Sequence, residues 1–133
     1  MDFLKQWAAG LAAFVVVDFV WIGLVANGFY RRALGPLLRM DGDRMDPRLL
    51  PAAVMYALVV AGLILFALPR GRGTLADAAA WSALYGFIAY GVYDLTNYAT
   101  LQAFPLRMVL VDMAWGAAVC GLTGAAAWMA RPA

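Results

Sequence analysis

Residues 74–102 read TLADAAAWSALYGFIAYGVYDLTNYATLQ, and whether this stretch crosses a bilayer decides the fold. Its first half is mostly alanine, leucine and aromatic residues, while its second half carries Tyr93, Asp94, Thr96, Asn97 and Thr100. Hydrocarbon does not solvate such groups. The stretch is nonetheless long enough, since a membrane helix needs roughly 20 mostly apolar residues to cross ~30 Å of hydrocarbon. No lysine or arginine interrupts the chain between Arg72 and Arg107. We read it as a crossing helix whose polar side chains turn toward other helices.

The rest of the chain agrees. Of 133 residues, 65% are hydrophobic and 14% charged, with a mean hydropathy of +0.77. Water-soluble domains are about a quarter charged, so the bilayer is the natural solvent. No polar stretch is long enough to form a soluble domain beside it. The expected fold is all-α: one polytopic membrane domain over 1–133, with four transmembrane helices at about 3–30, 50–68, 74–102 and 106–129 in an antiparallel bundle. Arg31 and Arg32 end the first helix, Pro47 and Pro51 flank the start of the second, residues 69–73 (PRGRG) make a turn, and Pro105 opens the last. The N-terminal apolar run is too long for a signal peptide and contains Asp18. Trp7, Trp81 and Trp128 fall on the side of the termini, as an interfacial aromatic belt would. Six basic residues (Arg31, Arg32, Arg39, Arg44, Arg48, Arg107) lie on the other side, against four with the termini (Lys5, Arg70, Arg72, Arg131). That balance leans toward termini on the outer side.

Composition also excludes chemistry. There is no histidine, which removes histidine-ligated haem, histidine-box di-iron oxidation and a Ser-His-Asp triad. Cys120 is the single cysteine, so no intrachain disulfide exists, and its apolar setting reads as a small buried hydrophobe. A net charge of +2 gives no case for nucleic acid. Asp41, Asp43 and Asp46 lack the later acid that a calcium loop needs and read as a solvated turn. Neither metal nor cofactor is expected. Gly116, Cys120 and Gly124 recur every four residues, a small face for close helix approach. The partner helix belongs either to this chain or to a second copy, so a homodimer or a larger membrane complex stays open.

All eight acids are aspartates, and three lie deep in helices: Asp18, Asp94 and Asp112. Together they cost on the order of 10 kcal/mol to insert, and such groups face the interior and find partners. Asp18 stands 13 residues before Arg31 and Asp94 stands 13 before Arg107, while Asp94 lies ten residues before and Asp112 eight after the turn at Phe104, so the three acids fall in one layer. Tyr90, Asp94 and Asn97 share a helix face, with Tyr93, Thr96 and Thr100 forming a strip beside it. The pattern V-x-V-D-x-x-W occurs twice, giving Asp18 with Trp21 and Asp112 with Trp115. Tyr56 is the polar contribution of the second helix. No lysine or arginine lies at this depth, so the acids hold protons, or a cation or a partner's basic group sits among them. The candidate proton, cation or ligand pocket is therefore Asp18, Trp21, Tyr56, Tyr90, Tyr93, Asp94, Thr96, Asn97, Asp112 and Trp115.

DFVWIG with GFYRRALG, AYGVYDLTNYATL and FPLRMVLVDMAWG resemble a family of small four-helix bacterial membrane proteins catalogued as a domain of unknown function. The resemblance covers nearly the whole chain. It implies the four-helix architecture and a multi-pass place in the bacterial inner membrane, and it supplies no reaction. Three readings stay open: proton- or cation-coupled transport or binding of a small molecule, a lipid- or isoprenoid-modifying enzyme or its subunit, and an accessory subunit of a larger complex. The first is preferred, and the balance leans away from an enzyme. Small multidrug exporters also pair four short helices with a buried acid, but theirs is a glutamate and this chain has none.

Overall fold

The computed structural model describes residues 2–132, most of them helical. Helix α1 (Asp2–Val20) runs into a π-helical turn at Trp21–Val25, closed by the Ala26 N–H donating to the Trp21 carbonyl at 2.6 Å. Ala26 then leaves helical geometry at φ −106°, and a short helix α2 (Asn27–Leu34) sets off. The single helix expected over 3–30 is thus corrected to two. Gly23, Asn27 and Gly28 are poor helix formers, and the π turn inserts an extra residue that redirects the chain beyond it.

The connection after α2 is more ordered than a solvated turn. Gly35, at φ +48°, ends the helix in a backbone conformation that side chains disfavour. Strands β1 (Met40–Asp41) and β2 (Arg44–Met45) then pair antiparallel, Met40 with Met45 and Asp41 with Arg44. Gly42, at φ +60°, takes the first of the two turn positions, as a tight hairpin requires. An Arg39–Asp46 salt bridge at 3.3 Å closes its base.

Helix α3 (Leu49–Gly62) continues through a π turn at Leu63–Ala67 and a 3-10 turn at Leu68–Gly71. Near the end of the α-helical part the Tyr85 hydroxyl donates to the Val59 carbonyl at 3.0 Å and sits against Gly62, while the Leu63 N–H still bonds that carbonyl. Helix α4 (Leu75–Thr100) is capped by Thr74 Oγ1, which accepts from the Asp77 N–H at 3.0 Å. Helix α5 (Leu106–Met129) begins directly after Pro105.

Among the described residues, three stretches are long and apolar enough to cross a membrane: Asp2–Val25, Leu49–Gly71 and Leu106–Met129. Helix α4 has the length, at 26 residues, but is less apolar because of Ser82, its tyrosines, Asp94 and the polar residues near its C-terminal end. Half of the most apolar part of α5 is buried, against 17% in α1 and in α3, so α5 is the central helix.

The α4–α5 contact is the most extensive in the molecule. The small face seen in the sequence meets α4 of the same chain. A Cβ on Gly86 would overlap the Gly116 carbonyl, one on Gly116 the Tyr90 ring, and one on Gly124 the Ser82 hydroxyl. Helix α5 also packs on α1, where Gln6 donates to the Ala127 carbonyl at 3.3 Å, Gly10 faces Thr123 and Asp18 meets Trp115. Partner numbers fall on α5 as they rise on α1, so these two helices run antiparallel. Helix α3 touches α1 at fewer points, chiefly Trp7 Nε1 donating to the Ala57 carbonyl at 3.2 Å and the Phe14 and Tyr56 rings at 5.3 Å.

Candidate functional site

Asp18, Asp94 and Asp112 are 4%, 0% and 8% exposed. A carboxylate buried this far must find donors. Asp18 has two: the Tyr56 hydroxyl donates to Oδ2 at 2.5 Å and Trp115 Nε1 to Oδ1 at 3.0 Å. Asp112 Oδ1 accepts from the Tyr30 hydroxyl at 2.7 Å, and that hydroxyl accepts from Trp21 Nε1 at 3.1 Å.

The two V-x-V-D-x-x-W repeats therefore exchange partners. Each tryptophan serves the aspartate of the other helix, Trp115 directly and Trp21 through Tyr30. The antiparallel register sets Asp18 opposite Trp115, so the exchange comes from how α1 and α5 align. Between the two acids the indoles of Trp21 and Trp115 stack, with ring centroids 4.4 Å apart and planes 8° from parallel. Offset stacking of this kind adds about 0.5–1.5 kcal/mol beyond burial.

Asp94 is placed differently. Its carboxyl faces that of Asp112, and neither of its oxygens receives a donor from the described residues. Two ionised carboxylates cannot bond each other, since neither can donate. One proton between them makes a hydrogen bond and removes the mismatch. Among the described residues no three acids or cysteines gather closely enough to ligate a metal ion.

A family model described as "Predicted membrane protein (DUF2177)" matches residues 3–129. The chain belongs to this family. No curated protein and no solved structure matches it.

In this DUF2177 protein the expected pocket residues divide into two sets. Asp18, Trp21, Tyr56, Asp94, Asp112 and Trp115 come together, and Tyr90 packs beside them against Gly116. Tyr93 and Thr96 are exposed on the outer side of α4, and Asn97 is half-buried. The Thr96 and Thr100 hydroxyls donate back to the Val92 and Thr96 carbonyls at 2.6 and 2.8 Å, which satisfies them within their own helix.

Tyr30 was absent from the expected set. In one straight helix it would stand 12 residues, roughly 18 Å, beyond Asp18. The turn at Trp21–Ala26 brings α2 back so that the Tyr30 phenol reaches Asp112. A tyrosine just before the Arg31–Arg32 pair was the available signal, but only the turn gives it a target.

The site opens into a cleft of about 950 Å³ between α1, α3 and the hairpin. Asp18, Tyr30 and Tyr56 form its polar floor, and Phe19, Ile22, Leu49 and Met55 are among its apolar walls. Arg39, Asp43 and Arg44 stand at the hairpin end. The cleft exists because α3 packs on α1 at few points. Gly23 widens it, since a Cβ there would meet nothing within 4 Å.

Proposed function

We propose that the protein crosses the bacterial inner membrane four times as an antiparallel bundle, with its termini on the outer side, and that its α1–α3 cleft binds a lipophilic cation in exchange for a proton held by the buried carboxyl groups. One observation carries the reading: a buried carboxylate, Asp18, forms the floor of a largely apolar cleft of about 950 Å³. An acid without a basic partner in such a place favours a proton or an organic cation. Apolar walls select the lipophilic body, and the phenol faces of Tyr56 and Tyr30 suit a cation. Phe19, Leu49 and Met55 line the cleft and are 64%, 75% and 44% exposed, which leaves its apolar side open. A ligand can therefore enter sideways from the bilayer.

The test is titration of the purified protein with tetraphenylphosphonium, monitored by tryptophan fluorescence, because Trp115 bonds Asp18 directly. Binding is expected in the wild type and at least tenfold weaker in Asp18→Asn, with an unchanged circular dichroism spectrum. Equal affinity in the two proteins would sink the reading. Release of protons into weakly buffered solution on binding tests the exchange separately.

The short Tyr56–Asp18 hydrogen bond, at 2.5 Å, favours a second reading. A phenol and a carboxylate facing an apolar cleft can act as an acid–base pair on a lipid or isoprenoid substrate. A lipid profile that changes on deletion and is restored by wild type but not by Tyr56→Phe would favour it.

A further inference from the structure

A smaller cavity of about 380 Å³ lies where the chain leaves the first apolar span, lined by Gly28, Arg31, Arg32, Gly35, Leu38 and Met40. Leu38 is the residue it shares with the larger cleft. Its only charged lining groups are two guanidinium groups. Neither Arg31 nor Arg32 forms an ion pair among the described residues. None of the hairpin aspartates lines this cavity: Asp46 bonds Arg39, Asp43 lines the larger cleft, and Asp41 lines neither. Gly28 leaves room for one of the two groups, since a Cβ there would stand 3.0 Å from Arg32 Nη1. The Arg32 guanidinium thus lies back over the start of α2.

We propose that this cavity binds a phosphate group, the chemistry that an anionic lipid headgroup or free phosphate presents. Each guanidinium is a planar fork that donates two parallel hydrogen bonds to an oxyanion. A phosphate is tetrahedral, so its oxygens offer lone pairs out of one plane and can accept from two differently oriented forks. Position agrees with a lipid source. Arg31 and Arg32 are the first basic residues after the first span, which ends at Val25, and both are exposed. Basic residues just beyond a span attract anionic headgroups. The proposal stands apart from the reading of the cleft and uses none of its residues but Leu38.

The experiment is calorimetric titration of the full-length protein in mild detergent with three probes: short-chain phosphatidylglycerol, the matching diacylglycerol without phosphate, and inorganic phosphate. Saturable binding of phosphatidylglycerol but not diacylglycerol is expected, weakened on the order of tenfold in R31Q/R32Q. If inorganic phosphate binds and displaces the lipid, the site stands and free phosphate is a source as well. Equal binding of the two lipids, or unchanged affinity in R31Q/R32Q, overturns the proposal. R31K/R32K keeps the charge and loses the forks, and its affinity is expected to fall several-fold. Should the glutamine variant fail to fold, the lysine variant carries the test, and unchanged affinity in it also overturns the proposal.

Discussion

The Tyr30 hydroxyl donates to Asp112 at 2.7 Å and accepts from Trp21 at 3.1 Å, so deleting it unpairs two groups at once. Tyr30→Phe is expected to cost about 1–3 kcal/mol, the usual penalty for leaving buried polar groups unmatched. Thermal unfolding in detergent would read this as a lowered midpoint with an unchanged helical spectrum. Asp94 behaves in the opposite sense. An asparagine at 94 brings its own N–H donor to Asp112, so the pair is satisfied without a proton. Asp94→Asn should therefore match or exceed the wild type in thermal midpoint, and Asp94→Leu, which offers no donor, should fall below it. A lower midpoint for the asparagine variant than for the leucine one would contradict the carboxyl pairing.

Within the elements, the α4–α5 contact depends on residues that have no side chain to spare. Gly86→Leu would drive its branches into the Gly116 carbonyl and the Cys120 side chain. Overpacking of this kind costs about 1–3 kcal/mol or more, so the variant should express poorly or unfold at a clearly lower temperature. Gly23→Ala is the control, because a Cβ there meets open space, and its stability should stay within about 0.5 kcal/mol of wild type. At the start of α4, Thr74→Ala removes the side-chain acceptor of the Asp77 N–H, a loss of about 1 kcal/mol. Hydrogen exchange at the first turn of α4 would register it before any global change.

For the whole molecule, four crossings require both termini on one side. Single cysteines introduced at Lys5 and Arg131, in a Cys120→Ala background, should react with a membrane-impermeant thiol reagent from the same side of sealed vesicles. A cysteine at Arg44, in the hairpin, should react from the other. Opposite-sided termini would mean three crossings and a surface-lying α4. Cys120 is fully buried, so the native protein should stay unlabelled until it is unfolded.

The amino-acid sequence alone determined the bilayer as solvent, the helical class and the ends of α5, which run from 106 to 129 as expected. These rest on local quantities: runs of apolar side chains, proline and glycine punctuation, and the cost of burying charge. It also singled out Asp18, Asp94 and Asp112, because a carboxylate in an apolar run is costly wherever its helix packs. What it could not settle was pairing. A tryptophan one turn from an aspartate looks like that aspartate's partner, yet both indoles serve the acid across the helix interface. Partner choice depends on the register between α1 and α5, a property of two elements together. Tyr30 joined the site only through the turn at Trp21–Ala26, and Tyr93 and Thr96 fell outside it through the rotation of α4. The cleft is a third such feature, since a gap between α1 and α3 is a failure of two surfaces to meet and has no signature in either stretch of sequence.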